Sequence, residues 1–99
     1  MIKHLSNVSE FEKEVQAPLV LVDFYADWCG PCQMLAPNLE ELDKEGGIDI
    51  VKINVDEIPD LARQFRIMSI PTLMLFKEGK FVKKVLGYMP IESLRDFIK

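Results

Sequence analysis

Short amphipathic segments alternate with short apolar segments along this chain, and the first amphipathic segment lies near the amino terminus. Ser9 is followed three residues later by Glu12, a spacing that matches a helix capping box. Phe11 and Val15 are four residues apart and therefore share one face of a helix. The pattern predicts an amphipathic helix from about Ser9 to Gln16.

A mainly apolar stretch follows from Leu19 to Tyr25. Its alternating positions are apolar on both sides, and Asp23 is its one charged residue. A strand covered on both faces has this pattern, so we predict a central buried strand here. A second helix is predicted from Pro31 onward, with Gly46 and Gly47 as its left-handed stop. The apolar residues that recur at helical spacing in it are Met34, Leu35, Leu39 and Leu42.

The rest of the chain continues the alternation of strands and helices. We predict, in order, a strand over residues 48–55, a helix over 59–65, a strand over 72–76, a tight turn at Glu78 and Gly79, a strand over 80–86 that ends at Gly87, and a helix that opens at Pro90. This order implies an α/β fold, with a central mixed β-sheet flanked by helices on both faces.

Composition favours one domain over residues 1–99. A chain of 99 residues buries roughly 60 to 70% of its unfolded surface, which leaves little for a second core. No internal repeat, low-complexity tract or linker interrupts the chain. We therefore expect a single α/β domain that functions as a monomer.

Charge and hydropathy argue against two kinds of partner. The 12 basic and 16 acidic side chains give a formal net charge of -4, and Lys and Arg are not clustered, so we expect no nucleic-acid partner. The longest apolar runs, residues 19–22 and 73–76, are far too short to span a bilayer, and the first residues lack the apolar stretch of a secretory signal. We expect no membrane association and a cytoplasmic location.

The chemistry of the chain is concentrated in the run Trp28, Cys29, Gly30, Pro31, Cys32. Two cysteines separated by two residues at a helix start lie about 5 Å apart at Cα, which allows a disulfide. The unpaired N–H groups and positive dipole end of the helix favour a thiolate at Cys29, so Cys29 is the predicted nucleophile. Cys32 lies one turn further in, where we expect its neighbours to bury it, and is the predicted resolving thiol. Gly30 permits close approach, Pro31 fits an early helical position, and Trp28 offers a flat apolar surface.

The cysteine pair also admits three interpretations without redox chemistry. A structural staple closing so short a loop contributes only about 2 kcal/mol, less than longer loops would. A zinc site usually needs four ligands, whereas this chain offers two cysteines and the distant His4. A chance CxxC is a weak signal by itself, but here Trp, Gly and Pro accompany it between a strand and a helix. A redox role is therefore the favoured interpretation.

The segment from Tyr25 through Cys32, followed by Ala36 and Pro37, resembles the active-site segment of the thioredoxin family. The similarity extends over essentially the whole chain and implies the thioredoxin fold. Its other marker positions in this sequence are Asp23, Lys52, Ile70, Pro71, Thr72, Gly79 and Gly87. The resemblance makes Asp23 a buried group near Cys32 that takes or returns a proton, with Lys52 as its neighbour. A solvent-facing Asp23 and an ordinary surface Lys52 remain the alternatives.

The same resemblance implies a recognition surface around the nucleophile. Base rates alone favour a trans bond before Pro71, but the family match implies a cis bond that packs against both cysteines and leaves the backbone of Ile70 free to pair with an extended substrate. The implied substrate-binding residues form a flat, mostly apolar patch: Trp28, Gly30, Pro31, Ile70, Pro71, Gly87 and Tyr88. Tyr88, Met68 and Gln33 depart from the residues that many relatives carry.

The predicted function is that of a general protein-disulfide reductase. The resemblance implies disulfide-containing protein substrates and a flavin-containing thioredoxin reductase as the electron donor, with no cofactor and no metal bound by this chain. An oxidant or isomerase of an exporting compartment is the alternative enzyme, although Pro31 belongs to the pattern of the reducing members. A third possibility is a non-enzymatic binding module that uses the same surface.

Overall fold

The computed structural model describes residues 1–99 as five strands and four helices. In chain order they are β1 (Ile2–His4), α1 (Ser9–Glu14), β2 (Val20–Tyr25), α2 (Gly30–Glu45), β3 (Asp49–Asn54), α3 (Pro59–Gln64), β4 (Thr72–Lys77), β5 (Lys80–Leu86) and α4 (Ile91–Phe97). No helix combines the length and apolar character needed to cross a membrane.

The strands form one mixed sheet in the order β1-β3-β2-β4-β5. β1 and β2 both pair with β3 in parallel, whereas β4 pairs antiparallel with β2 and with β5. β2 therefore lies at the centre of the sheet, and its residues up to Phe24 are buried. This confirms the prediction of a central strand covered on both sides.

Alternate residues of the central strands point into two separate apolar cores. One core joins the sheet to α1 and α3; its buried residues include Phe11, Val15, Val20, Val22, Phe24, Val51, Ile53, Leu61, Met74 and Phe76. The other joins the sheet to α2 and α4; its buried residues include Leu21, Leu35, Leu39, Leu42, Ile50, Leu73, Leu75 and Leu94. The helices thus cover both faces, as the sequence pattern predicts.

Two turns need a backbone conformation that favours glycine. After α2, Gly46 and Gly47 have φ angles of 80° and 83°, which stops the helix as predicted. Between β4 and β5, Glu78 and Gly79 have φ angles of 50° and 85°, and positive φ at both central residues is the signature of a two-residue type I′ hairpin turn. The Gly79 amide also donates to the carbonyl of Val15 at 2.8 Å, which ties the hairpin to the end of α1.

The sequence pattern does not predict the amino-terminal strand. β1 has three residues, Ile2–His4, and pairs along β3 at the edge of the sheet. Three residues are too few to show an alternating pattern, and the pairing partner lies almost 50 positions further along the chain. The strand places His4 beside Lys52 of β3.

The predicted capping box at Ser9 and Glu12 is wrong, since the start of α1 is capped by residues two positions earlier. Asn7 Oδ1 accepts the backbone N–H of Glu10 at 3.2 Å, and Glu10 Oε1 accepts the N–H groups of Asn7 at 3.3 Å and Ser6 at 2.8 Å. The Ser9 hydroxyl donates to Asn7 Oδ1 at 2.6 Å instead of capping the helix. An Asn with a Glu three residues later provides the same reciprocal bonding, so the predicted mechanism is present in a different register.

Candidate active site

The cysteine pair lies where the central strand β2 passes into α2. Cys29 is the residue before the helix and has an extended backbone, with φ -86° and ψ 111°. Pro31 lies in the first turn of α2, where its missing N–H leaves no bond unmade. Cys29 and Cys32 form a disulfide with their Cα atoms 5.2 Å apart, close to the separation expected from helix geometry.

The amino terminus of α2 is directed at the sulfur of Cys29. The backbone N–H of Cys32 donates to Cys29 Sγ across 3.2 Å. Gln33 N–H donates to the Cys29 carbonyl at 3.1 Å, so the first turn of the helix begins at this residue. An N–H donor and the positive end of the helix both favour a negative charge on that sulfur when the disulfide is reduced.

Cys32 is buried in this disulfide form, as its place one turn into the helix predicts, and Cys29 is buried with it. Cys29 is 3% exposed and Cys32 is 5% exposed, so both are buried. The reason is packing, because Ala26 is buried against the pair and Tyr25, Val55 and Ile70 partly cover it. The two sulfurs differ in position and bonding instead, because only Cys29 caps the helix.

Pro71 follows a cis peptide bond after Ile70, as the family resemblance implies. The Ile70 carbonyl oxygen lies 3.7 Å from Cys29 Sγ. Neither the amide nor the carbonyl of Ile70 takes part in a backbone hydrogen bond. On either side the chain is fixed, because Gly87 N–H donates to the Pro71 carbonyl at 2.8 Å and Thr72 Oγ1 donates to the Ser69 carbonyl at 2.6 Å.

Trp28 is the most exposed aromatic side chain at the site, at 71%. Its indole Nε1 donates to Asp56 Oδ2 at 2.9 Å, which holds the ring in place beside the cysteines. Next to it lies a shallow groove of about 190 Å³. The groove is lined by Trp28, Val55, Ala62, Ile67, Met68, Ser69 and Ile70. Met68 is 94% exposed, so its thioether side chain is available at the rim.

The remaining predicted binding residues lie between the cysteines or after β5. Gly30 and Pro31 are exposed at the start of α2, and Gly87 and Tyr88 follow β5. Tyr88 is 42% exposed, and its hydroxyl accepts the Asn38 side-chain N–H at 3.1 Å. Gly87 is joined to this region by its hydrogen bond to the Pro71 carbonyl, whereas Tyr88 contacts α2 at Asn38 and Pro71 itself is buried.

Asp23 is buried in the sheet beside Lys52, its register partner on β3. The carboxylate is 1% exposed; Oδ1 has no hydrogen-bond partner, and Oδ2 lies 3.8 Å from Lys52 Nζ. Burial raises the pKa of Asp23 from 3.8 to about 6, and the positive charge of Lys52 partly opposes this rise. The solvent-facing alternative for Asp23 is therefore wrong.

Lys52 connects this carboxylate with the resolving cysteine. A cavity of about 130 Å³ is lined by residues that include both Lys52 and Cys32. Lys52 also lies 3.8 Å from Asp23 Oδ2, so the same lysine faces the cavity beside Cys32 and the buried carboxylate. Lys52 has a side chain only 11% exposed, which distinguishes it from an ordinary surface lysine.

Sequence reasoning missed the loop that supports Trp28. Asn54 is buried at the end of β3, and its Oδ1 accepts the N–H groups of Asp56 at 2.9 Å and Glu57 at 3.3 Å. This turn places the Asp56 carboxylate at the N–H edge of the indole. An Asn at the end of a predicted strand with an Asp two positions later is the sequence signal that indicates such a turn.

The zinc alternative has no support in the arrangement of side chains. Both cysteines are joined to each other, and His4 Nδ1 lies 3.2 Å from the hydroxyl of Tyr25. No group of three or more His, Cys, Asp or Glu side chains is placed to hold a metal ion. The arrangement instead suits thiol–disulfide exchange, with one activated sulfur, a second sulfur behind it and a buried carboxylate.

Comparison with known proteins agrees with this chemistry. The family model described as thioredoxin matches residues 2–99. A thioredoxin of Staphylococcus haemolyticus is 51% identical over 92 residues, covering 91% of this chain and 88% of that protein. A thioredoxin of Staphylococcus aureus is 50% identical over the same length and with the same coverage.

Solved structures show the same architecture. A mutant thioredoxin from Halobacterium salinarum superimposes with a TM-score of 0.92 and 39% identity, covering 98% of this chain and 87% of that one. A thioredoxin from Plasmodium falciparum superimposes with a TM-score of 0.89 and 35% identity, covering 97% of this chain and 95% of that one. The dithiol–disulfide chemistry, the mixed sheet and these relatives agree, and the chain belongs to the thioredoxin family.

Proposed function

We propose that this protein is a general protein-disulfide reductase in which Cys29 attacks the substrate and Cys32 resolves the intermediate. The observation that carries the assignment is the position of Cys29 at the start of α2, with the Cys32 N–H donating to its sulfur. A thiolate there receives a hydrogen bond and the favourable end of the helix dipole. Cys32, inside the first turn, has no equivalent donor directed at its sulfur.

The exchange proceeds in two steps. The Cys29 thiolate attacks one sulfur of a substrate disulfide, which forms a mixed disulfide and releases the other substrate sulfur as a thiolate that takes a proton. Cys32 then loses its proton and attacks the Cys29 sulfur, which forms the Cys29–Cys32 disulfide and releases the second substrate thiol. The substrate gains two electrons and the protein loses two, and the product is the oxidised form that the structure describes.

The proton of Cys32 goes to Asp23 in this proposal. A carboxylate with a pKa of about 6 is largely ionised at neutral pH. Its pKa is also close enough to pH 7 for the group to hold a proton during part of the cycle. The cavity of about 130 Å³ that Cys32 and Lys52 both line has room for water, and Asp23 Oδ2 lies 3.8 Å from Lys52 Nζ, so the proposed path from Cys32 to the carboxylate runs past Lys52. Lys52 stabilises the ionised carboxylate between turnovers.

Substrate recognition is assigned to the surface around Cys29. The free backbone groups of Ile70 suit pairing with an extended peptide, and Pro71 shapes that edge. Trp28, Gly30, Pro31, Gly87 and Tyr88 provide an apolar surface that accepts many sequences. Recognition through the backbone and apolar contact is consistent with a general reductase.

The partners and setting follow from family membership and are part of the proposal. We infer that a thioredoxin reductase restores the dithiol and that disulfide-containing proteins are the substrates. We further infer that residues 1–99 form one domain acting as a monomer in the cytoplasm, without a nucleic-acid or membrane partner.

Reduction of insulin, with NADPH and a thioredoxin reductase as the electron source, tests the function. We expect turnover by the unmodified protein and none by Cys29→Ser or by the double Cys29→Ser, Cys32→Ser variant. A binding module would keep its partner when both cysteines are replaced. Equilibration with a glutathione redox buffer separates a reductase from an oxidant, because a predominantly reduced protein in an oxidising glutathione mixture would contradict the reductase assignment.

A further inference from the structure

Three polar side chains lie in one row across the sheet beneath α2. His4 of β1 is the register partner of Lys52 of β3, and Lys52 is the register partner of Asp23 of β2. Tyr25 lies two positions after Asp23 on the same strand, and therefore on the same face of the sheet. The row places an ammonium group between a histidine and a buried carboxylate, with an aromatic ring alongside.

Lys52 has two close partners in this row. Its Nζ lies 3.8 Å from Asp23 Oδ2 and 4.7 Å from the centre of the Tyr25 ring. The first distance is too long for a hydrogen bond, so the carboxylate alone does not fix the ammonium group. The second is a cation–π contact, and it is strengthened because the Lys52 side chain is only 11% exposed.

The Tyr25 ring is itself tied to the first strand. Its hydroxyl lies 3.2 Å from His4 Nδ1, and the two rings meet edge to face with centroids 6.1 Å apart. Burial raises the pKa of the Tyr25 hydroxyl, and the nearby Asp27 and Glu57 carboxylates raise it further. The hydroxyl therefore keeps its proton at neutral pH and remains a hydrogen-bonding partner for His4.

Lys52 also has room to move away from Asp23. It lines the cavity beside Cys32 and a second cleft of about 340 Å³ between β1 and α2, which His4 and Glu40 also line. If the Tyr25 ring did not hold it, the Lys52 ammonium group could move toward Glu40 in this cleft or into the solvent beyond it. Of the elements around the row, β4 contributes only the apolar Leu73 opposite Asp23.

We propose that Tyr25 is a positioning residue for the resolution step, whose aromatic face, anchored by His4, holds the Lys52 ammonium group beside Asp23. The proposal rests on the proposed function, in which Asp23 accepts the proton of Cys32. Tyr25 also packs against the cysteine pair, but the effect proposed here passes through Lys52. Without the ring, Lys52 spends less time beside Asp23, and the carboxylate loses part of the one positive charge that opposes its burial.

The test measures the ionisation of Asp23 by carboxyl ¹³C NMR in the disulfide form, where no cysteine titrates. For Tyr25→Leu we expect the Asp23 midpoint to move upward by about 0.5 pH unit, roughly a threefold change in its ionisation constant. Lys52→Met is expected to move it further upward. Tyr25→Trp keeps an aromatic face under the ammonium group and is expected to restore a midpoint near that of the unmodified protein.

The double variant Tyr25→Leu, Lys52→Met isolates the route of the effect. If Tyr25 acts through Lys52, the double variant titrates like Lys52→Met alone, whereas any further shift, including the downward shift expected if the ring only buries Asp23, would show that the ring acts on Asp23 independently of Lys52. An unchanged midpoint in Tyr25→Leu would also overturn the proposal. Should Tyr25→Leu fail to fold, His4→Ala on the exposed edge strand gives the same test, with a smaller upward shift expected and an unchanged midpoint again contradicting it.

The pH dependence of insulin reduction separates this proposal from the proposed function. If the Asp23 midpoint moves in Tyr25→Leu and the activity profile does not, Tyr25 positions Lys52 but Asp23 is not the proton acceptor. If the activity of the unmodified protein follows the Asp23 midpoint and Tyr25→Leu leaves that midpoint in place, the role of Asp23 stands and that of Tyr25 falls.

Discussion

The backbone N–H of Gly87 donates to the carbonyl oxygen of Pro71 across 2.8 Å. The bond joins the end of β5 to the segment that carries Ile70 and so fixes one side of the surface around the disulfide. Gly87 makes it with a φ of 90°, a conformation that side chains rarely adopt. A Cβ at this position would meet no atom within 4 Å, so the requirement for glycine is conformational and not steric.

Replacement of Gly87 should therefore destabilise the protein without a clash. We expect Gly87→Ala to lower the free energy of unfolding by about 1 to 2 kcal/mol, the usual penalty for a side chain in the left-handed region. Gly30→Ala is the matched control, because its Cβ also meets open space and its φ is not positive. Denaturant unfolding should leave Gly30→Ala within about 0.5 kcal/mol of the parent. Equal losses in both variants would contradict a conformational origin of the effect.

Local features of this chain could be predicted from the sequence because they depend on neighbouring residues. The separation of Cys29 and Cys32 follows from helix geometry, and the burial of β2 follows from its apolar character on both faces. The stop at Gly46 follows from the conformational freedom of glycine. Each of these is decided within a few positions of the chain.

Features that depend on distant parts of the chain could not be predicted in the same way. Trp28 and Asp56 are 28 positions apart, and only the turn after β3 brings them together. Met34 belongs to the apolar set predicted for α2 with Leu35 and Leu39 but is 61% exposed, because its side of the helix faces away from the sheet. The register that sets Lys52 beside Asp23 and His4 is a property of the assembled sheet, and spacing along the chain does not encode it.

The bond from Trp28 to Asp56 leads to a prediction about large substrates. Asp56→Ala removes the acceptor and frees an indole that is 71% exposed, so the apolar surface beside Cys29 becomes mobile. We expect kcat/KM for insulin to fall about 3- to 10-fold, equivalent to the loss of about one hydrogen bond, with little change for a small aromatic disulfide reagent.

Asp60→Ala is the control for this experiment. Asp60 is exposed at the start of α3 and pairs with Arg63, whereas the indole bonds to Asp56. Its replacement should leave both substrates unaffected. A similar fall for the small reagent in Asp56→Ala would indicate that Asp56 acts on the sulfur chemistry and not on docking.

Burial of Asp23 makes the stability of the protein depend on pH. Its folded pKa of about 6 lies above the ordinary value of 3.8, so the folded state binds more protons than the unfolded chain between these two values. The contribution of this group to stability therefore falls as pH rises through that window, and the loss is complete above about 6. The difference in pKa corresponds to at most about 3 kcal/mol.

Asp23→Asn removes the ionisation and nearly keeps the shape. Above pH 6 we expect it to unfold at higher denaturant concentration than the parent, and the difference should shrink toward pH 4. Insulin reduction should slow roughly 10- to 100-fold because Cys32 loses its proton acceptor. This is at or below the lower end of the rate effects of general bases, because solvent can partly replace the carboxylate as acceptor. A stability difference that is the same at every pH would contradict the burial of an ionisable carboxyl group.

The order of attack by the two sulfurs can be read from trapped intermediates. Cys32→Ser keeps the nucleophile and its place at the helix start but cannot complete the second step. Mixed with insulin or with a disulfide-containing protein extract, this variant should accumulate covalent complexes through Cys29, visible on non-reducing gels and released by dithiothreitol. The reduced parent protein should likewise be alkylated first at Cys29 near neutral pH, as peptide mapping after a short pulse of iodoacetamide would show.

Cys29→Ser is the matched control, because it keeps one thiol at the same site and removes the one that receives the helix N-terminal hydrogen bond. It should form few or no complexes, although in the disulfide form Cys32 is buried to nearly the same extent as Cys29. Because the two sulfurs are about equally buried, a difference in complex formation between the two variants cannot come from their accessibility in the oxidised structure. It must come from a more stable thiolate at Cys29 or from opening of the site after reduction.

Measuring the thiolate absorbance near 240 nm against pH in each variant decides between these two causes. A lower midpoint for the Cys29 thiol than for the Cys32 thiol assigns the difference to the helix start, whereas equal midpoints with preferential trapping at Cys29 would assign it to opening of the reduced site.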